Sequence, residues 1–503
     1  MPGDDGGDGP PAAGRGMLPD EPVLRTSAIQ GNIVPGFATD DLALVGLTLP
    51  PDADATSAGR FLASLAPLVT SGSDILGHRA VARRRRRPAS LGSAETWLNV
   101  GLSHALLRRL GLSEFSDPSF REGLSEAAAR RLGDPPPRAA AVGAGTTGPI
   151  DVLFLVAAAG PDATSRAAAT LSADAVAHGF VSTVEQHGRR LRRGIEHFGF
   201  VDGVSQPGLL GRSEEDPEVP LTARPWAEAP DGTGALFVDA GTPLLWPGEF
   251  LFGYPGQRGT DRDPGPPPTA FRAPSPSHEA WARDGAYLVF RQMRQDVAGF
   301  WTYCHDQADA LAHGPLPGAT PEMVGALIVG RWRDGSPIRL DDPDGGSSRP
   351  TRNDFDLSDD PFGFGCPLGA HTRKVNPRSG AIADTSPLDK RLLRRGIPYG
   401  EALPGIVRRG DPERGLLFLA YMTSITDQFE FLVSRWVNDP HAPSGSGSGQ
   451  DVLIGQPAAD RTMTVRLPGG ETWPFVPPVA FVETTAGQYL FAPSIPALAE
   501  LGA

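Results

Sequence analysis

An apolar run of strand length followed by a helix-patterned segment recurs along this chain of 503 residues, and that rhythm limits the folds open to it. ETWLNVGL leads into SHALLRRLGL, where Ser103 is the predicted N-cap, Leu106, Leu107 and Leu110 share one face and Gly111 is the stop. IDVLFLVAAA at 150–159 leads into an Ala-rich helix from Ser165 to His178. GAYLVFRQMRQDVAGFWTYC repeats the pattern, as does RGLLFLAY with the segment after it, and LALVGLTLP reads as a buried first strand. None of these strands is followed by a Gly-rich phosphate loop. The expected class is therefore α+β, with helices on one face of antiparallel sheets, and a doubly wound nucleotide fold is disfavoured.

At this length the chain has room for two or three ordinary domains or one large duplicated one, and 40% hydrophobic residues suffice for a sizeable core. A formal net charge of -13 argues against nucleic acid or an anionic membrane as the main partner. No apolar run reaches the roughly 18 residues of a membrane span. Two cysteines, Cys304 and Cys366, make neither a disulfide framework nor a zinc pattern, which fits a reducing compartment. Residues 1–24 are rich in Gly, Pro and Asp and lack the basic and apolar regions of a secretory signal; a disordered leader and a cytoplasmic location are expected. Five consecutive arginines, Arg83 to Arg87, are read as a solvated loop.

Chemistry concentrates at 361–400, PFGFGCPLGAHTRKVNPRSGAIADTSPLDKRLLRRGIPYG. Its Gly and Pro residues turn the backbone tightly and present one imidazole, His371, from an irregular segment. Arg373, Lys374 and Arg378 follow, and Arg394 and Arg395 lead into a Gly/Pro turn. A lone His is more often a packing or surface residue, and Arg-rich loops usually face solvent. One imidazole beside several guanidinium groups nevertheless suits a flat, dianionic, iron-bearing ligand, because imidazole ligates iron and Arg pairs with carboxylates. Haem meets that description. Cys366 offers a thiolate alternative, since FGFGC is similar to the haem-thiolate loop of the cytochrome monooxygenases. In those proteins the Cys lies further beyond the Phe, with a basic residue between them.

The run CPLGAHTRKVNPR followed by LRRGIPYG resembles the dye-decolorizing peroxidase family. IQGNIVPGF, GFVDG, WPGEF with GYPG, and VGRWRDGSPI also resemble motifs of that family, so the likeness extends along nearly the whole chain from about residue 25. It implies two tandem ferredoxin-like halves, 25–235 and 236–503, with haem b bound in the second. It implies His371 as the axial iron ligand, Arg394 as the distal arginine, Asp202 as the distal acid and Arg378 at a haem propionate. Leu416 and Phe418 would then wall the peroxide site, where composition alone makes them ordinary core. Asp202 on its turn would otherwise read as a plain turn residue, and His197 beside it as packing or surface.

By the same resemblance the substrates are hydrogen peroxide and aromatic electron donors, dyes and phenols among them. In the implied reaction Asp202 moves a proton between the two peroxide oxygens while Arg394 stabilises the negative charge. Asp451, with Glu430 second, is the expected carboxylate partner of His371, because a ligating imidazole normally donates its other N–H to such a group. Trp436 matches a tryptophan that relays electrons for bulky donors in some members, and a packing role is the alternative. A haem-binding or iron-handling protein with little turnover is the second reading; Asp202 in its motif argues against it. The oligomeric state is left open.

Overall fold

The computed structural model describes residues 21–502 apart from 85–90, 93–94, 113–114, 135–148, 223–226, 229–235, 238–241, 258–279, 340–352, 354–356, 359, 379–386, 403–411, 443–446, 448 and 457–460. Eight strands form the frame: β1 (Asp41–Thr48), β2 (Thr96–Ser103), β3 (Val152–Ala158), β4 (Val181–Arg189), β5 (Ala286–Gln295), β6 (Ile397–Tyr399), β7 (Gly415–Met422) and β8 (Val482–Ala492). The first four are hydrogen-bonded in the order β2-β3-β1-β4 and the last four in the order β6-β7-β5-β8. Both run second, third, first, fourth, with every neighbour antiparallel. This is the ferredoxin-like order made twice.

The two sheets do not stay separate. β8 pairs with β2 through Leu490↔Ser103 and Phe491↔Leu102, and β4 meets β6 at Tyr399↔Gly188. With β5 joined to β7, the eight strands close into a ring in which each half covers the open edges of the other.

Both faces of this sheet are covered, which is why its strands read as continuous apolar runs. Ala43, Val45 and Leu47 of β1 pack with Phe61 and Leu62 of helix α1 (Ala55–Ser64), beside Ala168 and Leu171 from the helix Pro161–Ala177. Leu42 and Leu44 face the other way, toward Ile29, Ile33, Ile75 and Phe250. The predicted helix start at Ser103 is present: its hydroxyl accepts from Leu106 N–H at 3.0 Å, and Gly111 follows with φ of +84°.

Two expectations change. The arginine run begins inside a helix, α2 (Gly72–Arg84), where Arg83 and Arg84 occupy the last turn and complement the negative end of its dipole; 85–87 lie outside the described residues. The acidic stretch that begins at Ser213 opens as a hairpin of Arg212–Ser213 with Asp216–Pro220, paired to Val23–Leu24. Its acids serve as anchors: Glu214 accepts from Ser27 N–H at 3.0 Å and Glu215 from the Thr26 hydroxyl at 2.6 Å. The helix after β7 is wound as a π-helix over Ile425–Glu430 and Leu432–Val437, a wider coil that turns more side chains to one side. The expected division at residues 235 and 236 straddles the edge of a segment outside the described residues.

Candidate functional site

Beside the second half of the ring lies a cavity of about 300 Å³. One wall follows from strand alternation: β5 and β7 pair with Arg291 opposite Phe418 and Met293 opposite Leu416, so these four side chains share a face with Gln295 and all line the cavity. Phe429, Leu432, Val433 and Val437 add the π-helical wall. Leu416 and Phe418 thus lie on the cavity wall. Arg291, Met293 and Gln295 were legible only as strand residues, since nothing local marks which face opens on a cavity.

His371 enters this cavity at the start of the short helix α3 (His371–Val375), behind a turn closed by Ala370 N–H to Pro367 C=O at 3.0 Å. Its Nδ1 lies 2.7 Å from Asp451 Oδ2, a carboxylate with no solvent exposure. An ionised carboxylate accepts only, so Nδ1 carries the hydrogen and Nε2 is the nitrogen left for a ligand. Glu430, the second candidate for that partnership, lies elsewhere: it accepts from the Tyr489 hydroxyl at 3.0 Å and sits 3.5 Å from Arg131.

The basic cluster divides by role. Arg373 turns inward, donating to Asp360 at 3.0 Å and to the Cys366 carbonyl at 2.6 Å, and so pins the loop before His371. Lys374 is fully buried and donates to the carbonyls of Asp439 and Ala442. Arg378 lines the cavity, held at φ of +51° with Nη1 donating to Asn353 C=O at 2.7 Å. Arg394 and Arg395 part where the short strand Leu393–Arg394 ends, the Arg395 N–H donating to Leu419 C=O at 2.7 Å. Arg394, paired opposite Ala420 of β7, lines the cavity; Arg395 donates to Asn32 and Ile33 carbonyls at 3.0 and 2.9 Å.

Asp202 comes to Arg394 from the first half. Its turn is held by Glu196, whose carboxylate accepts from Phe198 and Phe200 N–H at 2.8 and 2.9 Å, and by Gly199 and Gly203 at φ of +95° and +76°. Asp202 Oδ1 accepts from Arg394 Nη1 at 3.1 Å and from Gly203 N–H at 2.6 Å. The Asp202 side chain is 41% exposed, yet the protein around it still pushes its carboxyl up, and Arg394, the Gly203 N–H and His371 together hold it below the usual carboxylate range. Glu196 is pushed up to about 7, first by burial, with its three donors opposing.

The remaining candidates fall outside the cavity wall. The Cys366 thiol is buried, is pushed up to about 11 by that burial, and does not line the cavity, so the thiolate alternative has no support in the geometry. His197 packs, with Nε2 2.8 Å from Tyr399 C=O. Trp436 is 2% exposed and edge-on to Phe431, so it offers no face to a bulky donor.

These residues fit haem. The cavity walls are mainly apolar, among the described residues one imidazole enters with Nε2 uncommitted, and Arg378, Lys390, Arg391 and Arg394 bring positive charge to the same space. Arg391 was missed at the sequence level: its Nη2 donates to Asn376 Oδ1 at 2.5 Å, while its buried Nε has no partner among the described residues. An unpaired guanidinium N–H in a cavity wall is what an anionic ligand would satisfy. Its place three residues before Arg394 in KRLLRRG was the available signal.

Comparison with known proteins agrees. Residues 348–444 match the family model described as Dyp-type peroxidase, C-terminal. The chain is 31% identical to a multifunctional dye peroxidase of Amycolatopsis sp., over 96% of this chain and 97% of the relative. It is 29% identical to a dye-decolorizing peroxidase of Mycetinis scorodonius, over 94% of this chain and 87% of the relative. Among solved structures, a dye-decolorizing peroxidase in complex with 2,6-dimethoxyphenol superposes with a TM-score of 0.71 at 28% identity, covering 96% of this chain and 100% of that one. A fungal Dyp-type peroxidase from Auricularia auricula-judae gives 0.71 at 26% identity, over 95% and 99%.

Proposed function

The chain belongs to the dye-decolorizing peroxidase family and is a haem-dependent peroxidase, and on that premise we propose that the cavity between His371, Asp202 and Arg394 is its catalytic site. His371 would hold the iron through Nε2, while Asp451 fixes Nδ1. Arg378 and Arg391 receive the anionic edge of the group, and Leu416 and Phe418 close the apolar wall. Haem, when bound, supplies the iron at which the O–O bond of hydrogen peroxide is cleaved and the oxidising equivalents that aromatic donors then reduce by single electrons. Asp202, ionised, takes a proton from one peroxide oxygen and returns it to the other. Arg394 keeps Asp202 ionised and offers N–H groups to the negative charge that develops as the bond breaks.

The observation that carries this reading is the Asp202–Arg394 pair in the same cavity as His371. A protein that only bound haem would need neither. The group is haem b, since both cysteines are buried and stand apart from the cavity wall, which leaves no thiol to form a thioether. Dyes and phenols are the donor classes, in line with the names of the relatives and the phenol-bound neighbour. Bulky donors use an internal path, with Trp436 as a buried step in it. The two ferredoxin-like halves divide near residue 235. Among the described residues no helix is long and apolar enough to cross a membrane, and the free thiols suit a reducing cytoplasm.

The test is spectroscopic. His371→Ala should give folded protein with little haem by Soret absorbance, because among the described residues His371 is the one imidazole lining the cavity. A Soret band of unchanged intensity and position in that variant would overturn the assignment.

A further inference from the structure

The turn that carries Asp451 is closed by a buried charge. Asp451 Oδ1 accepts from Leu453 and Ile454 N–H at 2.9 and 3.2 Å, and its carbonyl accepts from Gly455 N–H at 2.8 Å. Arg461 has no solvent exposure, and its Nη1 donates to the carbonyls of both Val452 and Gly455 at 3.0 Å. One guanidinium therefore clamps the two ends of the turn, while Nη2 ties it to Val479 C=O at 3.0 Å. Buried Lys374 holds the segment on the other side through the Asp439 and Ala442 carbonyls, just beyond Val437, whose C=O receives Asp451 N–H at 3.0 Å. A turn could be closed by neutral donors. Removing a guanidinium from water costs several kcal/mol unless an anion offsets it, and Asp451 is a buried anion on the same turn. Burial pushes the Arg461 guanidinium down, and the Asp451 charge acts against that push.

We propose that Arg461 is a positioning residue for the proximal ligand: it fixes the 451–455 turn so that Asp451 Oδ2 meets His371 Nδ1, and its charge offsets that carboxylate. This rests on His371 being the iron ligand. A carboxylate held on Nδ1 makes the imidazole a stronger donor to iron and favours the ferric state. Loosening the clamp weakens that hydrogen bond and moves the Fe(III)/Fe(II) potential in the positive direction.

The experiment is a spectroelectrochemical titration of haem-loaded wild type, Asp451→Asn, Arg461→Met, Arg461→Lys and the Asp451→Asn/Arg461→Met double variant. Asp451→Asn should shift the potential positive. Arg461→Met should shift it in the same direction, and the double variant should shift no further than Asp451→Asn alone. Arg461→Lys, which keeps the charge but cannot span both carbonyls, should fall between wild type and Arg461→Met. A wild-type potential in Arg461→Met, or full additivity in the double variant, would overturn the role of Arg461. If Arg461→Met does not fold, Arg461→Lys replaces it in the cycle and additivity there has the same consequence. A silent Asp451→Asn would instead remove the ligand assignment beneath the proposal, so the two failures are distinguishable.

Discussion

Asp202 can serve as a base only while it is ionised, and the structure shows what keeps it so. An ordinary Asp titrates near about 3.9. Here burial alone would raise that value, and Arg394 is the largest influence opposing it. The sign follows: with Arg394 present the carboxylate persists as pH falls past the ordinary value, so peroxide cleavage should hold into acid and fail only below the depressed pKa. Arg394→Leu removes the opposing charge, lets burial dominate and should move the acid limb of the pH–rate profile upward. Asp202→Asn, similar in shape but without a base, should abolish rapid cleavage at every pH while the resting haem spectrum barely changes. Rapid mixing with peroxide across the acid range reads both variants. An acid limb unmoved in Arg394→Leu, together with a nearly silent Asp202→Asn, would leave the carboxylate no role as base.

His371 depends on elements whose packing leaves little room. The helix Pro321–Val329 ends at Gly330, at φ of +89°, and a Cβ there would land on the Thr372 hydroxyl, next to His371. Gly330→Ala should cost roughly 1–3 kcal/mol from the left-handed backbone and push helix α3 away from the cavity. Lower thermal stability and a haem stoichiometry below wild type are the expected outcomes, and full haem loading would remove the second half of that argument. How much of this was readable beforehand divides along physical lines. Strands and helices with strong periodicity were legible, as were the residues in long motifs, because local pattern determines them. Asp451 ranked ahead of Glu430 as the partner of His371, but no local pattern fixes that choice; it follows from which turn folds behind α3. Arg291, Met293, Gln295 and Arg391 were hidden for the same reason, since a strand face acquires its role only when another element leaves space in front of it. The π-helical winding at 425–437 was likewise illegible, as its side-chain pattern differs little from that of an α-helix.

At the scale of the molecule, ring closure decides whether the two halves behave as two proteins or one. Two seams join them, and the one between β4 and β6 is a single residue pair, Tyr399↔Gly188. Gly188 is needed there, because a Cβ would run into the Ile397 side chain. The cavity takes Asp202 from the first half and Arg394, His371 and β7 from the second, so the seam also holds the two sides of the site in register. Wild-type protein should therefore unfold in one thermal transition, with calorimetric and van't Hoff enthalpies in agreement. Gly188→Val puts branched bulk against Ile397 and should open this seam while the other, Leu490↔Ser103 with Phe491↔Leu102, remains. A destabilisation of about 1–3 kcal/mol is expected from overpacking, together with slower peroxide cleavage, because Asp202 and Arg394 no longer hold the 3.1 Å contact. If scanning calorimetry instead showed two separate transitions in wild type, or Gly188→Val kept both stability and cleavage rate, the seam would be a contact between independent halves.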